Sequence, residues 1–161
     1  MALTRTKKQD IIKKMHHVAK KALSVVTANP SGITVNEINT LRKKAKISHV
    51  EMHIIRNTLL KKSLENTHFD TLQPVLSGPT LIAFSMNHPG SASRLFKLFN
   101  KQNNQFQIKN AVYERRLLNL DEIHDLADLP THQEAIIKFI WILKEITLGK
   151  LLRALYQLKH N

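Results

Sequence analysis

The stretch Ala135–Leu158, AIIKFIWILKEITLGKLLRALYQL, is apolar around most of a helical circumference. A helix that covers one core needs an apolar stripe only about 100° wide or a little more. Thr131-His132-Gln133-Glu134 ahead of it has the form of a capping box, in which hydroxyl and carboxylate satisfy backbone N–H groups reciprocally. A continuous helix over these residues would be about 36 Å long at 1.5 Å per residue. The second face of such a helix needs either its own domain or another chain to cover it, and a core helix folded back on its own domain is the plainer alternative. Lys138, Lys144, Glu145, Lys150 and Arg153 interrupt the apolar run. That argues against a membrane span, which needs ~20 nearly uncharged residues. The apolar residues are also not confined to one side, as they would be in an interfacial helix. Gly149 divides the stretch into two blocks, Ala135–Ile146 and Leu148–Leu158.

Working outward, the charge is distributed unevenly. The formal net charge is +13, which points to a polyanionic partner. Residues 1–70 carry 14 Lys/Arg against 5 Asp/Glu, whereas residues 71–130 carry 6 against 5. Lysine supplies most of the cations, and an AT-rich genome raises lysine, asparagine and isoleucine together, so the distribution is the stronger signal. There is no cysteine, which excludes disulfides and cysteine-based zinc sites and suits a reducing compartment. The N-terminal MALTRTKKQD lacks the apolar core of a secretory signal. A cytoplasmic protein is expected.

Between the N-terminus and Pro130 the pattern is helices interleaved with short strands. Ile11, Met15, Val18 and Ala22 share one helical face over residues 5–22. Leu23–Thr27 reads as a buried strand, and Thr34-Val35-Asn36-Glu37 as a second capping box opening a helix to about Lys46. His49–Arg56 alternates as a strand, with Asn57 the expected cap of a helix over Thr58–Glu65. A tight turn at Ser77–Thr80 leads into a strand, Leu81–Phe84. A helix from about Ser91 to Asn103 then turns Leu95, Phe96 and Phe99 inward. Phe106, Ile108 and Val112 on one side of an alternating segment give a fourth strand, and Asn119–Glu122 starts a short helix.

Catalytic signatures are weak. His49-Val50-Glu51-Met52-His53 has the order H-x-E-x-H in a strand, not the helical H-E-x-x-H of a zinc protease. Gly32, Gly78, Gly90 and Gly149 are too far apart to form a phosphate-cradling loop, and no G-x-S-x-G elbow exists. Glu37, Glu122 and Glu134 are accounted for as caps. No enzyme, metal site, cofactor or small-molecule substrate is expected.

The basic half offers better chemistry. Arg56-Asn57-Thr58-Leu59-Leu60-Lys61-Lys62 brings together a strand end, a helix N-terminus and two lysines. Free N–H groups of a first turn donate to phosphate oxygens, and an arginine can grip those oxygens bidentately. A capped surface helix with solvated lysines would have the same spacing. Few aromatics accompany the charge, so backbone or shape recognition of folded nucleic acid is expected rather than base stacking.

Several segments in order carry a resemblance: Met1-Ala2-Leu3, Gly32-Ile33-Thr34-Val35, Leu41-Arg42-Lys43, Arg56-Asn57-Thr58-Leu59-Leu60, Gly78-Pro79-Thr80-Leu81-Ile82-Ala83, His88-Pro89-Gly90 and Gly149-Lys150-Leu151. Over essentially its whole length the chain resembles the family of bacterial large-subunit ribosomal protein ten, found at the base of the lateral stalk. The resemblance implies an α+β fold: a small ferredoxin-like sandwich of about four strands with packed helices, followed by a long C-terminal helix. It also implies binding to large-subunit rRNA at the GTPase-associated centre, with large-subunit protein eleven nearby. The tail would carry dimers of the acidic stalk protein seven/twelve, which recruit translational GTPases. Members of the family also repress their own messenger.

On this resemblance residues 1–130 form the rRNA-binding domain and residues 131–161 the dimer-docking helix. Arg56, Asn57 and Thr58 fall in the family signature; Lys7, Lys8, Arg42, Lys43, Lys61 and Lys62 join them as RNA candidates on charge and position. The docking candidates are Ile136, Ile137, Ile140, Leu143, Leu151, Leu152 and Leu155, with the two blocks around Gly149 giving room for two dimers. A free-standing regulator of messenger RNA or DNA, self-associating through the tail, is the alternative class. Two departures stand out. Glu114-Arg115-Arg116-Leu117 lacks the glycine expected after the last strand, and the chain ends soon after Leu158 without a charged extension.

Overall fold

The computed structural model describes residues 4–103, 105–149 and 156. The chain divides into two compact units, Met1–Leu129 and Pro130–Asn161. The first is built on helices α1 (Arg5–Lys21), α2 (Val35–Ile47), α3 (Asn57–Leu64), α4 (Ser91–Gln102) and α5 (Leu120–Asp128). Its strands are β1 (Ser24–Asn29), β2 (Val50–Ile54), β3 (Leu81–Ser85), β4 (Gln107–Tyr113) and β5 (Arg116–Leu118), with a 3-10 turn at Asp70–Val75.

The strands form one antiparallel sheet in the order β2-β3-β1-β4-β5. The first four are the strands of a ferredoxin-like arrangement, with β1-α2-β2 and β3-α4-β4 as its two crossover units. Two features exceed the expected four-stranded sandwich. A fifth strand, β5, extends the edge beyond β4. Residues 55–80 between β2 and β3, with α3 and the 3-10 turn, join α1 in covering the sheet's second face, which gives three layers.

Burial follows from this layering. Along β3, Leu81 and Ala83 pack with Leu41, Ala45, Leu95, Phe96 and Ile123 of α2, α4 and α5. Ile82 and Phe84 pack on the opposite face with Met15, Ala19, Leu60 and Leu64 of α1 and α3. A strand buried on both faces reads as a continuous apolar run, which is why LIAFS shows no alternation. Phe106 meets Phe96 and Phe99 edge-to-face, with ring centroids 5.1 and 5.0 Å apart.

One alternation was misleading. Phe106 and Ile108 share a side, that of α2 and α4, but Val112, expected with them, packs on the α1/α3 side. The register explains it: Thr27 faces Asn110 while Ala28 faces Ile108, so Lys109 is an extra residue in a β-bulge. An inserted residue reverses the facing of everything beyond it.

The β4–β5 connection is the two-residue turn Glu114-Arg115, with φ of 50° and 63°. Both positions of such a hairpin turn require positive φ and favour Asn and Gly; here two ordinary side chains occupy them. Thr71 Oγ1 donates to the Arg115 carbonyl at 3.1 Å, and Arg115 Nε donates to His68 Nδ1 at 3.0 Å. Contacts from a neighbouring loop hold what a glycine would have relaxed.

The second unit begins with α6 (His132–Lys144), followed by a π-helical turn at Glu145–Gly149. The expected capping box is present: Glu134 N–H donates to Thr131 Oγ1 at 3.4 Å, and Thr131 N–H to Glu134 Oε2 at 2.9 Å. The block Leu148–Leu158, including the candidates Leu151, Leu152 and Leu155, lies outside the described residues apart from Gly149 and Tyr156 and the backbone of Leu148.

Candidate nucleic-acid interface and docking helix

Helices α1 and α3 lie side by side on one face of the sheet, joined by a contact between His16 Nδ1 and the Ser63 carbonyl at 3.1 Å. Near their N-termini a cleft of about 460 Å³ is lined by Arg5, Lys8, Arg56, Thr58 and Lys62, with Ile12 and Leu59 as apolar lining. On α1, Arg5, Lys8, Gln9 and Ile12 fall at i, i+3, i+4 and i+7, one helical face. Arg5 is not among the expected RNA residues; its place in the cleft follows from the packing of α1 beside α3, which spacing along α1 does not specify.

Of the nine RNA candidates, the cleft brings together Lys8, Arg56, Thr58 and Lys62. Lys7 is also on α1 and exposed, but about 100° round the helix from Lys8. Lys61, half-buried on α3, is likewise outside the lining. Arg42 and Lys43 are exposed on α2, whose Leu41 and Ala45 pack on the opposite face of the sheet. They do not join the α1–α3 group.

Asn57 has a different role from the cap expected of it. The N-cap position is Arg56, and no side chain caps the first turn of α3. The Asn57 side chain instead donates from Nδ2 to the Gly78 carbonyl at 2.8 Å. Lys109, the bulge residue, grips the same turn by donating to the carbonyls of Ser77 at 2.7 Å and Pro79 at 3.2 Å. The Arg56–Thr58 and Gly78–Thr80 segments thereby line a shared groove that adjoins the α1–α3 cleft at Arg56 and Thr58. The result is a cationic surface with an uncapped helix N-terminus, a combination that attracts phosphate.

The His88-Pro89-Gly90 turn is structural. Buried Ser24 and Ser85 donate to the Pro89 carbonyl at 2.6 and 3.4 Å, and a Cβ on Gly90 would run into the carbonyl of Leu126. His53 Nε2 lies 3.8 Å from Glu51 Oε2; among the described residues no three His, Asp or Glu side chains gather as a ligand set.

Helix α6 has no buried residue. Ile136, Ile137, Ile140 and Leu143 are exposed, as are Phe139, Ile142 and Trp141, the last at 64%. No helix among the described residues is long and apolar enough to cross a membrane.

Fold and surface together define a class: an α+β domain with a cationic face and, among the described residues, no assembled metal-ligand set, followed by a helix with large exposed apolar side chains. Comparison with known proteins gives the family. Residues 3–101 match the family model for ribosomal protein L10. The chain is 61% identical over 155 residues, 96% of each chain, to large ribosomal subunit protein uL10 of Buchnera aphidicola subsp. Cinara cedri. It is 43% identical over 159 residues, 99% of each, to that of Wigglesworthia glossinidia brevipalpis. To that of Erwinia tasmaniensis it is 46% identical over 96% of this chain and 93% of the relative. The chain belongs to the ribosomal protein L10 family, whose members are structural proteins of the large subunit of the cytoplasmic ribosome and not enzymes.

Proposed function

We propose that the chain forms the base of the large-subunit lateral stalk, with residues 1–130 bound to large-subunit rRNA at the GTPase-associated centre beside protein eleven, and residues 131–161 carrying dimers of the acidic stalk protein seven/twelve. The observation that carries this reading is α6, a helix of large apolar side chains with none of them buried. A monomeric protein seldom leaves so much contiguous apolar surface in water. An amphipathic or wholly apolar helix of this kind is a ligand for another chain's groove, and the cations of its segment suit an acidic partner.

The RNA arm rests on Arg5, Lys8, Arg56 and Lys62 converging on one cleft. Phosphate neutralisation by four cations gives a salt slope of roughly −3 to −4. The test uses the full chain and a form lacking Gln133–Asn161. The deletion is expected to abolish binding of stalk-protein dimers while leaving rRNA binding and its salt slope intact. Loss of both activities would make the tail part of the folded core, and salt-independent RNA binding would sink the phosphate reading. A native mass measurement on the complex is expected to find two dimers per chain.

A further inference from the structure

We infer that the open cavity at the far end of the α1–α3 pair holds one ribonucleotide of the bound RNA, its phosphate on Lys20 and Arg115 and its 2′-hydroxyl on Asp70. This rests on the RNA-binding reading above and adds a second anchor to it. The cavity has a volume of about 690 Å³, and its lining includes Lys20, Asn66, His68, Asp70, Thr71 and Arg115. A site of that size admits a nucleotide.

The two helices run in the same direction along their contact. Arg5 and Lys8 lie with Arg56 and Thr58 at one end, His16 meets Ser63 midway, and Lys20 lies with Asn66 at the other. From Lys8 to Lys20 the rise along α1 is about 18 Å. The second cavity therefore lies at the opposite end of the α1–α3 pair, with Lys20 about 120° round α1 from Lys8, so an RNA segment that touches both must wrap partly round the helix.

Its arginine is held in place. Arg115 Nε is engaged by His68 Nδ1 at 3.0 Å, and the backbone is fixed through its carbonyl by Thr71 at 3.1 Å. One nitrogen is thus occupied by a positioning contact, leaving the terminal N–H groups for the bidentate grip that suits phosphate. The backbone at Arg115 has φ of 63°, a strained value for a long side chain. Such strain persists where surrounding contacts over-determine it. Glycine at position 115 would relieve the turn and remove the guanidinium.

Asp70 decides the class of ligand. Its carboxylate accepts a hydrogen bond from Gln73 at 3.0 Å and stands on the rim of an otherwise cationic cavity. A fully deprotonated oxyanion such as sulfate would meet that charge with nothing to donate. A ribonucleotide brings its phosphate to the cations and a 2′-hydroxyl to the carboxylate, the group by which proteins distinguish RNA from DNA.

The test is filter binding of the full chain to an in vitro transcript of large-subunit rRNA across a salt series. Lys20→Ala is expected to weaken binding several-fold and to lower the salt slope by about 1, and Lys20→Ala with Arg115→Asn by about 2. Asparagine tolerates positive φ, so the second change removes the fork while keeping the turn, and thermal melts check that each variant folds. Asp70→Ala is expected to weaken binding, and Lys101→Ala on α4 to leave it unchanged. Unchanged slopes in the Lys20 and Arg115 variants, or tighter binding by Asp70→Ala, would overturn the inference while the RNA reading stands. A wild-type chain that does not bind the transcript would overturn the RNA reading itself.

Discussion

Asn57 Nδ2 donates to the carbonyl of Gly78 at 2.8 Å, tying the start of α3 to the turn before β3. This bond joins two of the segments on which the family resemblance rests, and it places Arg56 and Thr58 against Pro79 and Thr80. Asn57→Ala should cost about 1 kcal/mol, the usual net worth of such a bond, and weaken rRNA binding by loosening the groove. Asn57→Asp should do the same or worse, because a carboxylate facing a carbonyl has nothing to donate. An Asp variant with wild-type stability in urea would show that shape rather than the bond matters.

Lys109 separates a structural cation from a binding one. Two of its three ammonium donors are committed to the carbonyls of Ser77 and Pro79, which gives it a structural task. Lys109→Met keeps the stem and loses the grip. The expected outcome is a loss of about 1 kcal/mol with the RNA salt slope unchanged, whereas Arg56→Ala should lower the slope by about 1. Paired urea melts and salt titrations on the two variants check this.

The Glu114-Arg115 turn should be improvable. A non-glycine residue in the left-handed region costs roughly 1 kcal/mol, less for asparagine. Glu114→Asn is expected to raise the melting temperature by about 2–4 °C for a chain of this size. Glu114 also accepts a hydrogen bond from Tyr113 that pushes the phenol above its ordinary value. The same variant should therefore bring the Tyr113 titration back down, which ultraviolet difference spectroscopy reads.

These cases show what was legible in the sequence. The boxes at Thr34/Glu37 and Thr131/Glu134 span four residues and were readable, because a cap is satisfied locally. The same local logic misassigned Asn57, whose partner lies 21 residues away. The bulge at Lys109 has no local signature and reversed the facing of Val112. Strand β5 escaped because it is three residues long and follows a turn without glycine. Charge alone could not tell Lys8, in the cleft, from Arg42 and Lys43 on the other layer.

Acid should act through two carboxylates. Hydrogen bonds from the Thr34 backbone and hydroxyl hold Glu37 below its ordinary value, and Lys97, 2.7 Å away, does the same for Asp128. A depressed carboxylate stabilises the folded chain above the unfolded pKa, near pH 4. That stability is lost as pH falls through the lower folded value. Glu37→Gln and Asp128→Asn should each flatten the stability–pH curve below about pH 4 and change its slope little near neutrality. Urea denaturation at a series of acid pH values checks both, and an unaltered acid limb in the double variant would show that other groups control it.

Trp141 is the chain's only tryptophan and is 64% exposed on α6. Its emission in the free protein should be that of a water-exposed indole and should shift to the blue when an acidic stalk dimer covers the helix. Burying one isoleucine stabilises an interface by about 1.5–3 kcal/mol, and every 1.4 kcal/mol is tenfold in affinity. Ile137→Asp or Ile140→Asp should therefore weaken dimer binding by at least about tenfold. Because neither side chain is buried in the free protein, the melting transition of the folded unit should stay where it is. A fall in melting temperature that accompanies the lost binding would mean that α6 is an element of the core, and the docking assignment would fail with it.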